Sequence, residues 1–118
     1  MLAGSAMTSD ANHFVAPNLA TVQKCIELSI ASAGLEPRDI DAINAHATST
    51  RIGDKVEADA LVNVFGRKIP PVSANKSQLG HAMGASSAIE TILAMEGMLS
   101  DTVLPTINYD PDPAIVLD

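Results

Sequence analysis

The chain has 118 residues, enough for one compact domain with a core and too few for two ordinary ones. Hydrophobic residues make up 47%, charged residues 18% and aromatic residues 3%, with no Trp, so the core must come from Ala, Val, Ile, Leu and Met, which suits a layered α/β protein. A net charge of −7 leaves no basic patch to neutralise phosphates and argues against nucleic-acid binding, and the single Cys25 excludes an internal disulfide. There is neither a signal-like n-region with its apolar h-region nor an apolar run long enough for a bilayer, so a cytoplasmic chain without a membrane partner is expected.

Residues 2–7 form a short run of apolar and small side chains that reads as a strand, followed by the turn-prone TSDANH and by Pro17-Asn18. A helix is predicted from about Leu19, because Val22, Cys25, Ile26, Ile30 and Ala33 recur at helical spacing and Gly34 with Pro37 closes the pattern. Cys25 lies on the flank of that stripe, where it reads as a small buried hydrophobe, since no neighbour in sequence would activate it as a nucleophile. Residues 40–44 are the second predicted strand. A second helix is predicted over 54–65, with Val56, Ala60 and Val64 on one face, Asp54 as N-cap and Glu57 three residues on, as in a capping box. Residues 71–74 read as a third strand.

From 83 to 99 the pattern is apolar nearly all round, so this helix is expected to be buried between layers. VLPTINYDPDP then reads as an extended, proline-rich exit. The alternation of strands and helices implies a largely parallel sheet with right-handed crossovers. A helix apolar on all sides needs covering on both. Three short strands and two other helices supply only part of that, so the architecture is expected to be incomplete.

Two stretches carry the polar chemistry. In INAHATST, the residues Asn44, His46, Thr48 and Thr50 occupy alternate positions, which in an extended segment puts an imidazole and two hydroxyls on one face at the end of a strand. The alternative is a solvated loop. In NKSQLGH, Lys76 precedes His81 by five residues, and Gly80 and Gly84 flank the histidine at the start of the apolar helix. A cation, an imidazole and free helix-terminal amides could together stabilise a developing negative charge. A solvated lysine beside glycines that serve tight packing fits the spacing equally well.

Taken together, NAHATSTRIGDKVE followed by NKSQLGHAMGASSAIE resembles the C-terminal half of the β-ketoacyl-[acyl-carrier-protein] synthases, the condensing enzymes of fatty acid synthesis, in the thiolase superfamily. The likeness runs from MTSDANH to LPTINYDPDP and includes the separation of the two histidines, 81 − 46 = 35 residues. It implies half of a thiolase-like α/β fold, a mixed, mostly parallel sheet with a buried helix. It also implies decarboxylating condensation of a malonyl thioester with an enzyme-bound acyl chain.

By this resemblance His46 and His81 are the catalytic pair and Lys76 is the family's lysine, with Glu57 helping to fix it. Asp54 is a structural cap, and Thr48 and Thr50 bond the pantetheine arm. No metal or resident cofactor is implied, because phosphopantetheine arrives on the acyl carrier protein, the expected partner. The family's nucleophilic cysteine matches no position here, and neither does its last glycine-rich strand region. The chain is therefore expected to be a partial domain of 1–118, inactive alone, that needs the Cys-bearing N-terminal half or a Cys-bearing partner within a homodimeric enzyme. Ala47 stands where many members have Gly.

Three other readings compete: a degradative thiolase, suggested by GHAMGAS; a non-catalytic, chain-length-factor-like or split-subunit partner; and a Ser–His–Asp hydrolase using Ser73, Ser86 or Ser87, for which no nucleophile-elbow motif is present. Arg51 and Lys55 are the only basic pair near the pantetheine mouth, and either meet the carrier or are ordinary solvated residues.

Overall fold

The computed structural model describes residues 1–113 and 115. Helix α1 (Leu19–Ser32) starts after Asn18, which is still extended and whose side-chain oxygen accepts the N–H of Thr21. It gives way to Gly34, whose φ of 71° is one that glycine adopts freely. Just ahead of it, the Asp10 carboxylate accepts the backbone N–H groups of Asn12 and Asn18, which holds it below the ordinary aspartate range.

After a 3₁₀ turn (Pro37–Asp39) the chain forms β1 (Ile43–Asn44), helix α2 (Arg51–Phe65) and β2 (Val72–Ser73). The two strands are parallel, with Ile43 opposite Val72 and Asn44 opposite Ser73, and α2 is the crossover between them. A single helical turn, α3 (Lys76–Leu79), and a 3₁₀ turn (Met83–Ala85) lead into α4 (Ser86–Leu99).

α1 and α2 pack together, tied at the rim by Asn63 Nδ2 donating to Gln23 Oε1 at 3.1 Å. Their buried side chains are small or aliphatic, Ile30 on α1 and Ala58, Ala60 and Leu61 on α2, as a composition poor in aromatics requires.

Three expectations change. Residues 2–7 form no ladder, because a strand needs a neighbouring strand and this segment lies on α1 instead. The Ser5 N–H donates to Ser32 Oγ, and the Ser32 hydroxyl lies 3.0 Å from Ser5 O. Gly4 makes that approach possible, since a Cβ there would sit 2.6 Å from Ala33 N and Ser29 O. Cys25 is half-buried under the same segment, its Sγ 3.6 Å from Ala6 O, which fits a packing role.

Helix α2 begins three residues earlier than expected: Thr50 holds the cap position, and Asp54 reaches back to accept its N–H at 3.3 Å. Last, α4 is covered on one side only. Ser86, Glu90 and Gly97 are buried, whereas Ile92 is 60% exposed and Met98 and Leu99 are 81% exposed. The described chain supplies no second layer for that outer side. Among the described residues no helix is long and apolar enough to cross a membrane.

Candidate active site

The carboxyl ends of the two parallel strands carry the two histidine stretches, which is where open α/β sheets place their sites. The loop after β1 is not the extended segment that alternation assumes. Ala47 and Ser49 adopt left-handed backbone, with φ of 35° and 63°. Its polar residues nevertheless find separate roles. Asn44 Nδ2 donates to Glu90 Oε2 at 3.3 Å, and the hydroxyls of Thr48 and Thr50 lie 3.4 Å apart.

Glu57, in the second turn of α2, accepts the backbone N–H of His46 on Oε1 at 2.7 Å and that of Ala47 on Oε2 at 2.8 Å. This carboxylate therefore positions the histidine loop. A left-handed backbone costs an L-residue about 1–2 kcal/mol, and Glu57's two hydrogen bonds hold Ala47 there. Ala47→Gly is accordingly expected to raise stability by about 1 kcal/mol, visible as a higher Tm. An unchanged or lower Tm would mean that the loop is unstrained.

At the end of β2, the Ser73 hydroxyl donates to Asn75 Oδ1 at 2.8 Å, and both residues are buried. Lys76 follows, and its Nζ lies 2.7 Å from Glu90 Oε1, with the two side chains only 5% and 9% exposed. The partner of Lys76 is thus Glu90 and not Glu57, whose oxygens are engaged by backbone. Sequence reasoning gave Glu90 no role, although a carboxylate in the middle of an apolar helix is the signal that could have found it. Through its two oxygens Glu90 joins β1, α3 and α4.

His81 and His46 meet edge to face, with ring centroids 5.6 Å apart and planes at 89°. Nδ1 of His81 lies 2.9 Å from Ser86 Oγ. A cleft of about 770 Å³ opens beside them, lined on one wall by Thr48, Asp54, Glu57, Lys76 and His81. The other wall is the exit segment, which forms no strand and turns at Asn108, where φ is 55°. Thr106 Oγ1 accepts the Ala74 N–H, Gln78 Nε2 donates to Pro105 O, and the Ile107 N–H donates to Ser77 Oγ. Arg51 and Lys55 are both exposed, and Lys55 is paired with Asp59 at 2.7 Å.

Two imidazoles beside a buried cation, on the carboxyl ends of parallel strands, form a site suited to holding negative charge on a carbonyl oxygen. Residues 1–110 match the family described as beta-ketoacyl synthase, C-terminal domain, and the chain belongs to that family. It is 44% identical to 3-oxoacyl-[acyl-carrier-protein] synthase 2 of Mycobacterium bovis over 98% of its own length, and spans 28% of that relative. Among solved structures it resembles the ishigamide ketosynthase/chain length factor, with a TM-score of 0.94 and 40% identity, covering 99% of this chain and 29% of that one. It also resembles a type II polyketide ketosynthase in complex with its acyl carrier protein, AntDE:AntF, with a TM-score of 0.93 and 34% identity, covering 99% and 30% of the respective chains. The fold is therefore the thiolase-like ketosynthase fold, of which this chain forms part.

Proposed function

We propose that this chain supplies the decarboxylating part of a condensing-enzyme site that extends malonyl-[acyl-carrier-protein] into fatty acid or polyketide chains in the cytoplasm. The observation that carries this reading is the edge-to-face pair of His46 and His81, of which His81 lines the cleft together with Lys76. In the malonyl thioester, the bond from the α-carbon to the carboxylate breaks and CO2 leaves. The electron pair moves into the thioester, whose oxygen becomes an enolate.

An N–H from each histidine stabilises that oxygen, and the Lys76 ammonium, held by Glu90, adds positive potential. The enolate carbon then attacks an acyl thioester on a cysteine contributed from outside this chain, releasing the thiolate. Thr48 and Thr50, whose hydroxyls already lie together, bond the amides of the pantetheine arm that the acyl carrier protein delivers. The AntDE:AntF structure, a ketosynthase with its carrier, supports that partner, and the reading includes a homodimer for the whole enzyme.

Cys25, half-buried and turned to Ala6 O, takes no part. The 118 residues alone are expected to gain no acyl mass when incubated with an acyl carrier thioester. A stoichiometric adduct on Cys25, seen by intact-mass measurement, would contradict this division of labour. The reading itself is tested by malonyl-thioester decarboxylation in the full-length enzyme with and without the two histidines.

A further inference from the structure

The imidazole of His81 has a side-chain partner built into the fold. Its Nδ1 lies 2.9 Å from the hydroxyl of Ser86, a residue in the first turn of α4 that is only 5% exposed. We infer that Ser86 is a positioning residue whose O–H donates to Nδ1, holding His81 as the tautomer with its proton on Nε2 and turning that N–H toward the cleft. This rests on the function proposed above.

The geometry supports it in three ways. His81 lines the cleft, Ser86 lies behind it, and with Nδ1 engaged the ring nitrogen left for a ligand is Nε2. A neutral imidazole has one donor and one acceptor nitrogen, so an accepting Nδ1 makes Nε2 the donor that a thioester oxygen needs. The reverse arrangement, Nδ1–H donating to Ser86, would present a lone pair to that oxygen and repel it.

The place of Ser86 at the start of α4 favours donation to the ring. The positive end of a helix attracts the oxygen's lone pairs and turns the O–H outward, toward the ring. The element is also fixed. Ser86 and Glu90 are four residues apart on one face of α4, and Glu90 is clamped by Lys76 and Asn44. One helix edge thus carries the partners of both His81 and Lys76. A hydroxyl beside an imidazole also resembles the start of a nucleophilic dyad, but Ser86 is only 5% exposed and is closed to a substrate.

The test is the nitrogen-15 spectrum of the His81 ring in the intact protein, labelled at histidine, at about pH 8, with the signals assigned by their loss in His81→Ala. A protonated Nε2 and an accepting Nδ1 are expected in the wild type. In Ser86→Ala the two signals should move toward a tautomer mixture, and in Ser86→Thr the wild-type pattern should return. In parallel, Ser86→Ala should lower kcat for malonyl-thioester decarboxylation about tenfold while KM changes less than about twofold, with recovery in Ser86→Thr.

A proton on Nδ1 in the wild type overturns the inference, as does an unchanged tautomer and kcat in Ser86→Ala. If Ser86→Ala does not fold, the wild-type spectrum alone decides. Should His81→Ala decarboxylate as fast as wild type, the proposed function fails, and the spectrum still reports separately on Ser86.

Discussion

Glu90→Ala is expected to cost the protein about 3–5 kcal/mol, a large share of the total stability of a domain. The reason is the burial of Lys76. With Glu90 present, the ammonium has a carboxylate oxygen 2.7 Å away in a site where both side chains are less than a tenth exposed. Removing the carboxylate leaves a charge desolvated and unpaired, and it also removes the acceptor of the exposed Asn44 amide.

Chemical denaturation of the single variant and of the double variant Lys76→Met/Glu90→Leu separates two contributions. The double variant should recover most of the lost stability, because an apolar pair of similar volume needs no compensation, while decarboxylation by the full-length enzyme that carries it falls with loss of the Lys76 ammonium. A single variant that loses less than about 1 kcal/mol would show that water reaches the pair.

The largest effect on rate is expected at the histidines. In the full-length enzyme, His46→Ala and His81→Ala should each lower the decarboxylation rate by roughly 10²–10³-fold, the cost of removing one donor from an oxyanion site. The double variant should fall well short of the product of the two, since both donors serve one oxygen. Lys55→Ala is a useful contrast, because that side chain is committed to Asp59 on the surface. Rates within about tenfold of wild type in both histidine variants would sink the condensing reading and favour the chain-length-factor-like one.

Much of this architecture was legible in the residues. Asn18 and Gly34 bracket α1, and the second and third predicted strands contain β1 and β2. The pairing of the two histidine stretches follows from their places after successive parallel strands. What escaped had physical reasons. Asp54 looks like a cap whether it starts the helix or folds back onto Thr50, so the start of α2 was misjudged. Residues 2–7 have strand-like composition, but strand formation depends on a neighbour that local sequence does not describe.

Glu57 and Glu90 are both carboxylates near the site in sequence. Only three-dimensional packing assigns one to backbone amides and the other to Lys76. The Thr48 and Thr50 hydroxyls do come together, yet through a left-handed loop and not through strand alternation.

The two walls of the cleft are fastened differently, and this bears on how the protein could be redesigned. The wall with Lys76 and His81 is anchored by a charged, buried hub in which each part depends on the others. The opposite wall, the exit segment, is attached in part through contacts between a side chain on one partner and main chain on the other, at Thr106, Gln78 and Ser77. Changes in cleft width, whether by selection or in the laboratory, are therefore easiest on that second wall. Thr106 and Gln78 can be changed there while the charged hub stays as it is.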